Sequence, residues 1–400
     1  MRDFTRADWR VTFEPLADYR HLAAPWRRLE GRGARSFFQS WLWMGTWLGV
    51  LPPVLEPFVA AVYRGPRLVG LAVWVRCPLR RHGWLHSDSL WLAETGQPVL
   101  DRLTVEYNGP LTEPGLEAPV LRMLLGALCR LDGRWDECYM SNAAPLQTTT
   151  YRAVAGACGL QSRVVAQAPC YWVDLCQLRR DRMGHLEVLS GNTRYQVRQS
   201  LGAYRAVGPL TVDVPRDLAE AKAFFARLVV LHRRHWRSRG RPGAFATSFA
   251  WQFHQRLLDA AWPHGVQVLK FSAGAEVIGY LYNFHWSGRV FNYQSGFHYV
   301  DDPKKRPGLV CHTLAIDYYL QRQADCYDFM AGYGRHKASL ATHSATMSSL
   351  VFQRPRWKLG IEDRLRRLKG QWLALRTPVS PREESPRTVL TIAGGDEGLR

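Results

Sequence analysis

The chain has no two cysteines at C-x-x-C spacing. Its eight cysteines (Cys77, Cys129, Cys138, Cys158, Cys170, Cys176, Cys311 and Cys326) are scattered, and no zinc-ligand spacing occurs, so no disulfide framework or metal site is expected. A long unbroken apolar run is also missing. The longest, Trp41 to Val62, is interrupted by Pro52, Pro53 and Pro57 and holds Glu56, too broken to span a bilayer. Met1 to Arg10 has charge but no apolar core of a secretory signal. The sequence reads as soluble and cytoplasmic. Acidic residues are few, 34 against 53 Lys and Arg, which leaves a net charge of +19. Such an excess either attracts something anionic (nucleic acid, an acidic carrier protein, a phosphorylated cofactor, a membrane surface) or reflects an Arg-rich proteome. Charge alone names no partner.

With 400 residues and 46% hydrophobic content, the chain has enough for two domains with real cores. Two stretches follow one plan. In the first, a Trp- and Phe-rich helical run, Phe37 to Leu48, precedes a hairpin: Phe58 to Tyr63, a turn at 64–67, then Leu68 to Val75. A strand ending at Tyr107-Asn108-Gly109, a helix from about Leu116 to Leu131 and a strand from Trp135 to Met140 complete it. In the second, helices over Thr193 to Tyr204, Asp217 to Arg237 and Ser248 to Ala261 lead to a hairpin, Val266 to Phe271 and Val277 to Trp286. A strand from Arg289 to Gln294, a helix from Gly308 to about Arg322 and a strand from Cys326 to Met330 follow. The shared order of elements reads as a duplicated α/β unit.

Near the C-terminus, Ile361, Leu365, Leu368 and Trp372 form one helical stripe flanked by Arg364, Arg366, Arg367 and Lys369. It reads as a helix docked on its own protein, with a membrane-surface helix as the alternative. Thr377 to Arg400 has the composition of a disordered tail.

The most informative segment runs from Tyr293-Gln294-Ser295-Gly296 through Lys304-Lys305-Arg306-Pro307-Gly308-Leu309-Val310. A strand ends, a basic loop turns and a helix begins, and the unbonded N–H groups of a first helical turn suit a diphosphate. The matching loop of the first half, Leu111 to Glu117, keeps Pro114-Gly115 but carries Glu113 and Glu117 where the second half has cations. Carboxylates repel phosphate, so the second half is the one expected to hold an anionic donor.

Several motifs in order give a family resemblance. They are Asn192-Thr193-Arg194 with Arg198, Leu231-His232 with Trp236, Gly243-Ala244-Phe245, and Tyr293 to Phe297. Pro307 to Val310 with His312, Tyr327-Asp328-Phe329 with Ala331-Gly332, and Lys337 with Ser339-Leu340 complete the set. Together they resemble the CelD/BcsL-type acetyltransferase domain, a branch of the GNAT superfamily related to the FemABX peptidyltransferases. The resemblance departs at His336, where the family usually has Tyr. It implies an α/β fold of tandem GNAT-like lobes, each a mixed, mostly antiparallel twisted sheet flanked by helices. The expected division is a degenerate lobe over 1–185, an acyltransferase lobe over 186–355, a basic amphipathic helix over 356–376 and a tail over 377–400.

The resemblance also implies acyl-CoA or acyl-phosphopantetheine as co-substrate, contacted by Gln294, Ser295, Lys304, Lys305, Arg306, Gly308, Leu309 and Val310. Tyr293, Trp236, Phe245, Tyr333 and Lys337 would meet the acceptor amine, borne by a small molecule, an amino sugar or a peptide. His312, Asp328 and His285 are candidate proton acceptors. Each has a structural reading as well: His312 as a bonded core histidine, Asp328 as the partner of Lys337, His285 on a strand's solvent face. The basic run Arg233-Arg234-His235-Trp236-Arg237 suits an acyl carrier protein, tRNA phosphates or a solvated helix end. An aminoacyl-tRNA-dependent peptidyltransferase and a non-catalytic pathway scaffold are the competing functions.

Overall fold

Both turn signals close antiparallel hairpins in the computed structural model, which describes residues 2–34, 36–82, 84–131 and 135–376 (backbone alone at 2, 3 and 368–376). The strands are β1 (Arg2–Arg6), β2 (Trp9–Pro15), β3 (Phe58–Arg64), β4 (Arg67–Arg81), β5 (Leu85–Leu92), β6 (Leu111–Thr112), β7 (Glu137–Ala143) and β8 (Gln161–Asp174). The second half adds β9 (Leu210–Asp213), β10 (Val266–Ala273), β11 (Glu276–Trp286), β12 (Arg289–Phe297), β13 (Cys326–Ala331) and β14 (His343–Gln353). Among the described residues they form one sheet of 14 strands, in the order β1-β2-β3-β4-β5-β7-β14-β8-β13-β12-β11-β10-β9, with β6 beside β4.

The duplication is visible in this order. In each half a parallel pair (β5 with β7, β12 with β13) interrupts an otherwise antiparallel sheet. Between these pairs the halves trade strands. β8 follows the first half in sequence yet pairs with β13, from Cys326↔Asp174 to Ala331↔Cys170. β14 follows the second half yet pairs with β7, from Ser348↔Ala143 to Gln353↔Glu137. β8 and β14 also pair with each other, from His343↔Trp172 to Gln353↔Gln161. Each half therefore completes its sheet with a strand supplied by the other.

The core crosses the boundary too. Ser40 accepts a hydrogen bond from the Trp43 amide and starts a helix, Trp41–Leu48, which packs with the preceding turn against aromatic residues of the second half. Phe37 stacks on Phe284 at 4.5 Å, and Trp43 meets Phe253 edge-on at 4.7 Å. The strand expected to end at Tyr107-Asn108-Gly109 is absent from the sheet path. Tyr107 takes a left-handed φ of 53°, and Asn108 donates its side-chain amide to Leu92 O at 2.9 Å. The backbone turns there and sends residues 106 and 107 into the second half.

The helix Trp357–Arg376 lies opposite to expectation. Ile361 and Leu365 face outward, 37% and 41% exposed, while Glu362 is 1% exposed. The reason is electrostatic. Glu362 meets Arg81 and Arg366, Asp363 faces Arg163 at 3.9 Å, and Lys358 reaches Asp136 at 2.5 Å. Ion pairs, with the buried Leu359, hold the polar face inward. The side chains of Leu368 and Trp372, and the tail from residue 377, lie outside the described residues.

Because each half borrows a strand, the halves are expected to unfold together. Urea titrations followed by tryptophan fluorescence and by circular dichroism should give one coincident transition, and residues 1–185 or 186–376 expressed alone should not fold. Two separated transitions would contradict the exchanged sheet.

Candidate active site

β12 and β13 run parallel for only three register pairs, Arg289↔Cys326, Val290↔Tyr327 and Phe291↔Asp328. Beyond these the strands part. β12 carries a register shift that leaves Tyr293 unpaired against β11, whereas β13 skips Phe329 against β8 and turns through Met330 at φ 61°. Bulges add twist, and twist of two neighbours in different places opens a gap between them. On one side of the β12 bulge a hydrogen-bond chain fixes it: Asn292 Nδ2 to Asn283 Oδ1 at 2.9 Å, Asn283 Nδ2 to Tyr319 Oη at 3.0 Å, and Tyr319 Oη to Gln267 Oε1 at 2.8 Å. On the other side lies the helix Leu218–Arg237. A Cβ at Gly296 would sit 2.5 Å from Leu228 O, so only glycine allows that approach.

The first half reaches this gap through Glu106 and Tyr107. The Tyr107 hydroxyl donates to Asp328 Oδ2 at 2.5 Å, and the Glu106 carboxylate accepts the Ala331 amide at 2.8 Å. Asp328 is fully buried. Its partner is Arg289, whose Nε and Nη2 both lie 3.0 Å from Oδ2, and the Met330 amide donates to Oδ1 at 2.7 Å. The Arg289 guanidinium also lies over the rings of Tyr107, Trp172 and Phe291, 5.2 to 5.8 Å from their centroids. This corrects the expected Asp328–Lys337 pair: Lys337 instead donates to Ala331 O at 2.8 Å.

Burial pushes the Glu106 carboxyl up from 4.5 to about 7, against the pull of Lys337 and the Ala331 amide. Burial lowers Lys337, while Glu106 and Asp328 oppose that shift. The buried Tyr293 hydroxyl approaches the Thr104 amide and the Glu106 carboxylate without forming a good hydrogen bond. The gap thus collects a carboxyl that titrates near neutrality, a lysine, a phenol short of a partner and an internally paired aspartate. A carboxyl placed so exchanges a proton readily at ordinary pH.

The other expected residues are placed as follows. His312 is buried on the opposite face, its Nδ1 2.9 Å from Tyr327 Oη and its ring stacked on His336. Burial holds it well below its usual range, with His336 and Lys337 adding to the shift. His285 sits opposite Val290, where β12 and β13 are still paired. Phe245 is fully buried against Phe225, and Trp236 lies beside His232. Tyr333 is 53% exposed. Ser295 Oγ donates to Asn292 Oδ1 at 3.2 Å, and Gln294 is half-buried beyond the bulge.

The helix Pro307–Gln321 starts with no side-chain cap, and Gly308, Leu309 and Val310 form its first turn. Of the cations before it, Arg306 donates its amide to Ser200 Oγ at 2.8 Å and its guanidinium to Gln196. Lys305 lies 3.8 Å from Glu276 and over the Tyr204 ring. Lys304 is exposed. Two of the three cations therefore turn toward neighbouring protein groups.

Two features escaped the sequence. Glu106 stood beside a segment read as a strand end, and Arg289 opens β12 without any local sign that its guanidinium would reach Asp328 on the neighbouring strand. Among the described residues no cluster of three or more His, Cys, Asp and Glu is placed to hold a metal ion, and no helix is long and apolar enough to cross a membrane.

Residues 191–338, which contain the gap, match the family described as Acetyltransferase (GNAT) domain. The segment of the second lobe that carries the gap is thus similar to acyltransferase domains of the GNAT class. Over most of its length the chain also shares its fold with solved structures of other proteins. It is similar to the crystal structure of FemX, with a TM-score of 0.55 and 9% identity over 82% of this chain and 95% of that one. It is also similar to a conserved protein of unknown function from Bacteroides thetaiotaomicron VPI-5482, with a TM-score of 0.50 and 10% identity over 83% and 97%. No curated protein matches the chain.

Replacing Asp328 by Asn leaves Arg289 without its counter-charge. The expected cost is about 3 kcal/mol, the low end for a buried pair, because the Arg289 side chain stays 31% exposed. Urea unfolding of the variant measures it, and an unchanged midpoint would contradict the pairing.

Proposed function

We propose that the chain moves an acyl group, from acetyl to long-chain fatty acyl, from the thioester of acyl-CoA or an acyl carrier protein to a primary amine. The amine belongs to a small molecule, an amino sugar or a peptide side chain. The observation that carries this reading is the Glu106 carboxyl, raised to about 7 where β12 and β13 part. An amine attacks a thioester carbon only when neutral. Glu106, ionised, takes the amine proton as the C–N bond forms; the C–S bond then breaks, and the departing thiolate recovers the proton. Holding amine and thioester about 3 Å apart in the gap supplies the remaining acceleration.

In this reading the pantetheine arm runs along the open side of β12 at Gln294 and Ser295. The diphosphate meets the uncapped first turn at Gly308 and Leu309, with Lys304 as its free cation.

A second reading, transfer from aminoacyl-tRNA, draws on a cleft of about 310 Å³ lined by Arg234, His235, Arg239 and Tyr299. Stacked His235 and Tyr299 rings, 4.7 Å apart, beside two arginines suit a nucleotide. Steeply salt-dependent binding of tRNA, without turnover of acyl-CoA, would favour it.

Acyl transfer from acyl-CoA to a panel of amines tests the first reading. The wild-type rate should climb as pH rises through about 7, because only the ionised carboxylate accepts a proton. Glu106→Gln should lose roughly a hundredfold or more in kcat together with that limb of the profile. Full activity in Glu106→Gln, with the limb retained, would remove Glu106 from the reaction.

A further inference from the structure

We infer that the outward face of the Trp357–Arg376 helix over residues 357–367, together with Trp84 of the β4–β5 hairpin, docks on an anionic membrane surface. Trp357, Ile361 and Leu365 follow one another at four-residue intervals, which places them on one stripe, and they are 78%, 37% and 41% exposed. An ordinary surface helix turns such a stripe toward its own core. Here the two acids do so instead: Glu362 is 1% exposed and bonded to Arg366, and Asp363 faces Arg163. The described outward face keeps apolar side chains beside exposed Arg364 and Arg367.

The hairpin extends that face. Lys358 Nζ donates to His86 O at 3.0 Å, and His86 Nδ1 lies 3.1 Å from Trp84 O. The hairpin therefore abuts the start of the helix, and Trp84 near its turn is 54% exposed. Two exposed tryptophans, two exposed aliphatic side chains and flanking arginines are the groups that settle at a headgroup boundary. The rings and aliphatic chains enter the acyl edge, and the guanidinium groups meet lipid phosphates. Charge complementarity selects the occupant. A second copy of the same face would set Arg364 and Arg367 against their own kind, and neutral lipid would leave them without a counter-charge.

Flotation of the full chain with vesicles tests the inference independently of catalysis. Vesicles of phosphatidylcholine mixed with phosphatidylglycerol should carry the protein, phosphatidylcholine alone should carry far less, and added salt should release it. The combined substitutions Trp357→Ser, Ile361→Ser and Leu365→Ser should weaken binding by roughly tenfold or more, as should Arg364→Glu with Arg367→Glu. Circular dichroism checks that the variants fold. If one does not, quenching of wild-type tryptophan fluorescence by brominated phosphatidylglycerol vesicles reads the same contact, and quenching is expected. Absence of both flotation and quenching overturns the inference. So does flotation that neither set of substitutions weakens, or association with an acidic protein such as an acyl carrier protein but with no vesicle. Loss of acyl transfer by Glu106→Gln with flotation intact would separate this inference from the catalytic reading.

Discussion

The ion pair between Arg289 and Asp328, joined by the Tyr107 hydroxyl, fastens three parts of the molecule at one point. Arg289 starts β12, Asp328 ends the paired stretch of β13, and Tyr107 comes from the other lobe. Each group needs the others. Asp328 is fully buried and would be costly as an unpaired charge. Arg289 finds both its carboxylate and the faces of three aromatic rings, and the phenol closes the remaining acceptor site. Because this knot sits where β12 and β13 cease to pair, it fixes where the gap begins.

Tying Tyr107 down also delivers its neighbour. Glu106 has little choice of position once residue 107 is held and the Ala331 amide is bonded to its carboxylate. Two opposing effects then set its acidity. Loss of water favours the neutral carboxyl, while Lys337 and the amide favour the charged one, and desolvation wins by a modest margin. A carboxyl closer to Lys337 would stay ionised and be a weak base; one with no cation near it would stay protonated. The pairing of Asp328 with Arg289 matters for the same reason. It keeps a second carboxylate nearby from raising Glu106 still further.

Much of the fold was legible because hairpin turns and helix periodicity are local signals. The turns at 64–67 and 272–275 and the helix after Pro307 fall where the residues indicated. Strand exchange was not legible, since the pairing of β8 with β13 depends on contacts between residues 150 or more positions apart. Of the site, Tyr293, Asp328 and Lys337 were named, but the partners were not. The basic motif that drew attention to the loop before Pro307 is largely occupied by Gln196, Ser200 and Glu276, and the residue with the most useful acidity came from the lobe judged degenerate. Side-chain spacing along one lobe carries no record of what the other inserts. The helix from Trp357 inverted for a related reason: its stripe argued for an apolar contact, whereas the acids Asp136 and Glu137 and the cation Arg81 on the facing strands decided the orientation.

The central claim is that interlobe packing holds one carboxyl near neutrality inside the gap. Carbon NMR of side-chain-labelled glutamate, with Glu106→Gln recorded beside the wild type to assign the resonance, measures it directly. A carboxyl titrating near 7 that vanishes in the variant is the result expected. A Glu106 resonance titrating at its ordinary value of 4.5 would contradict the account.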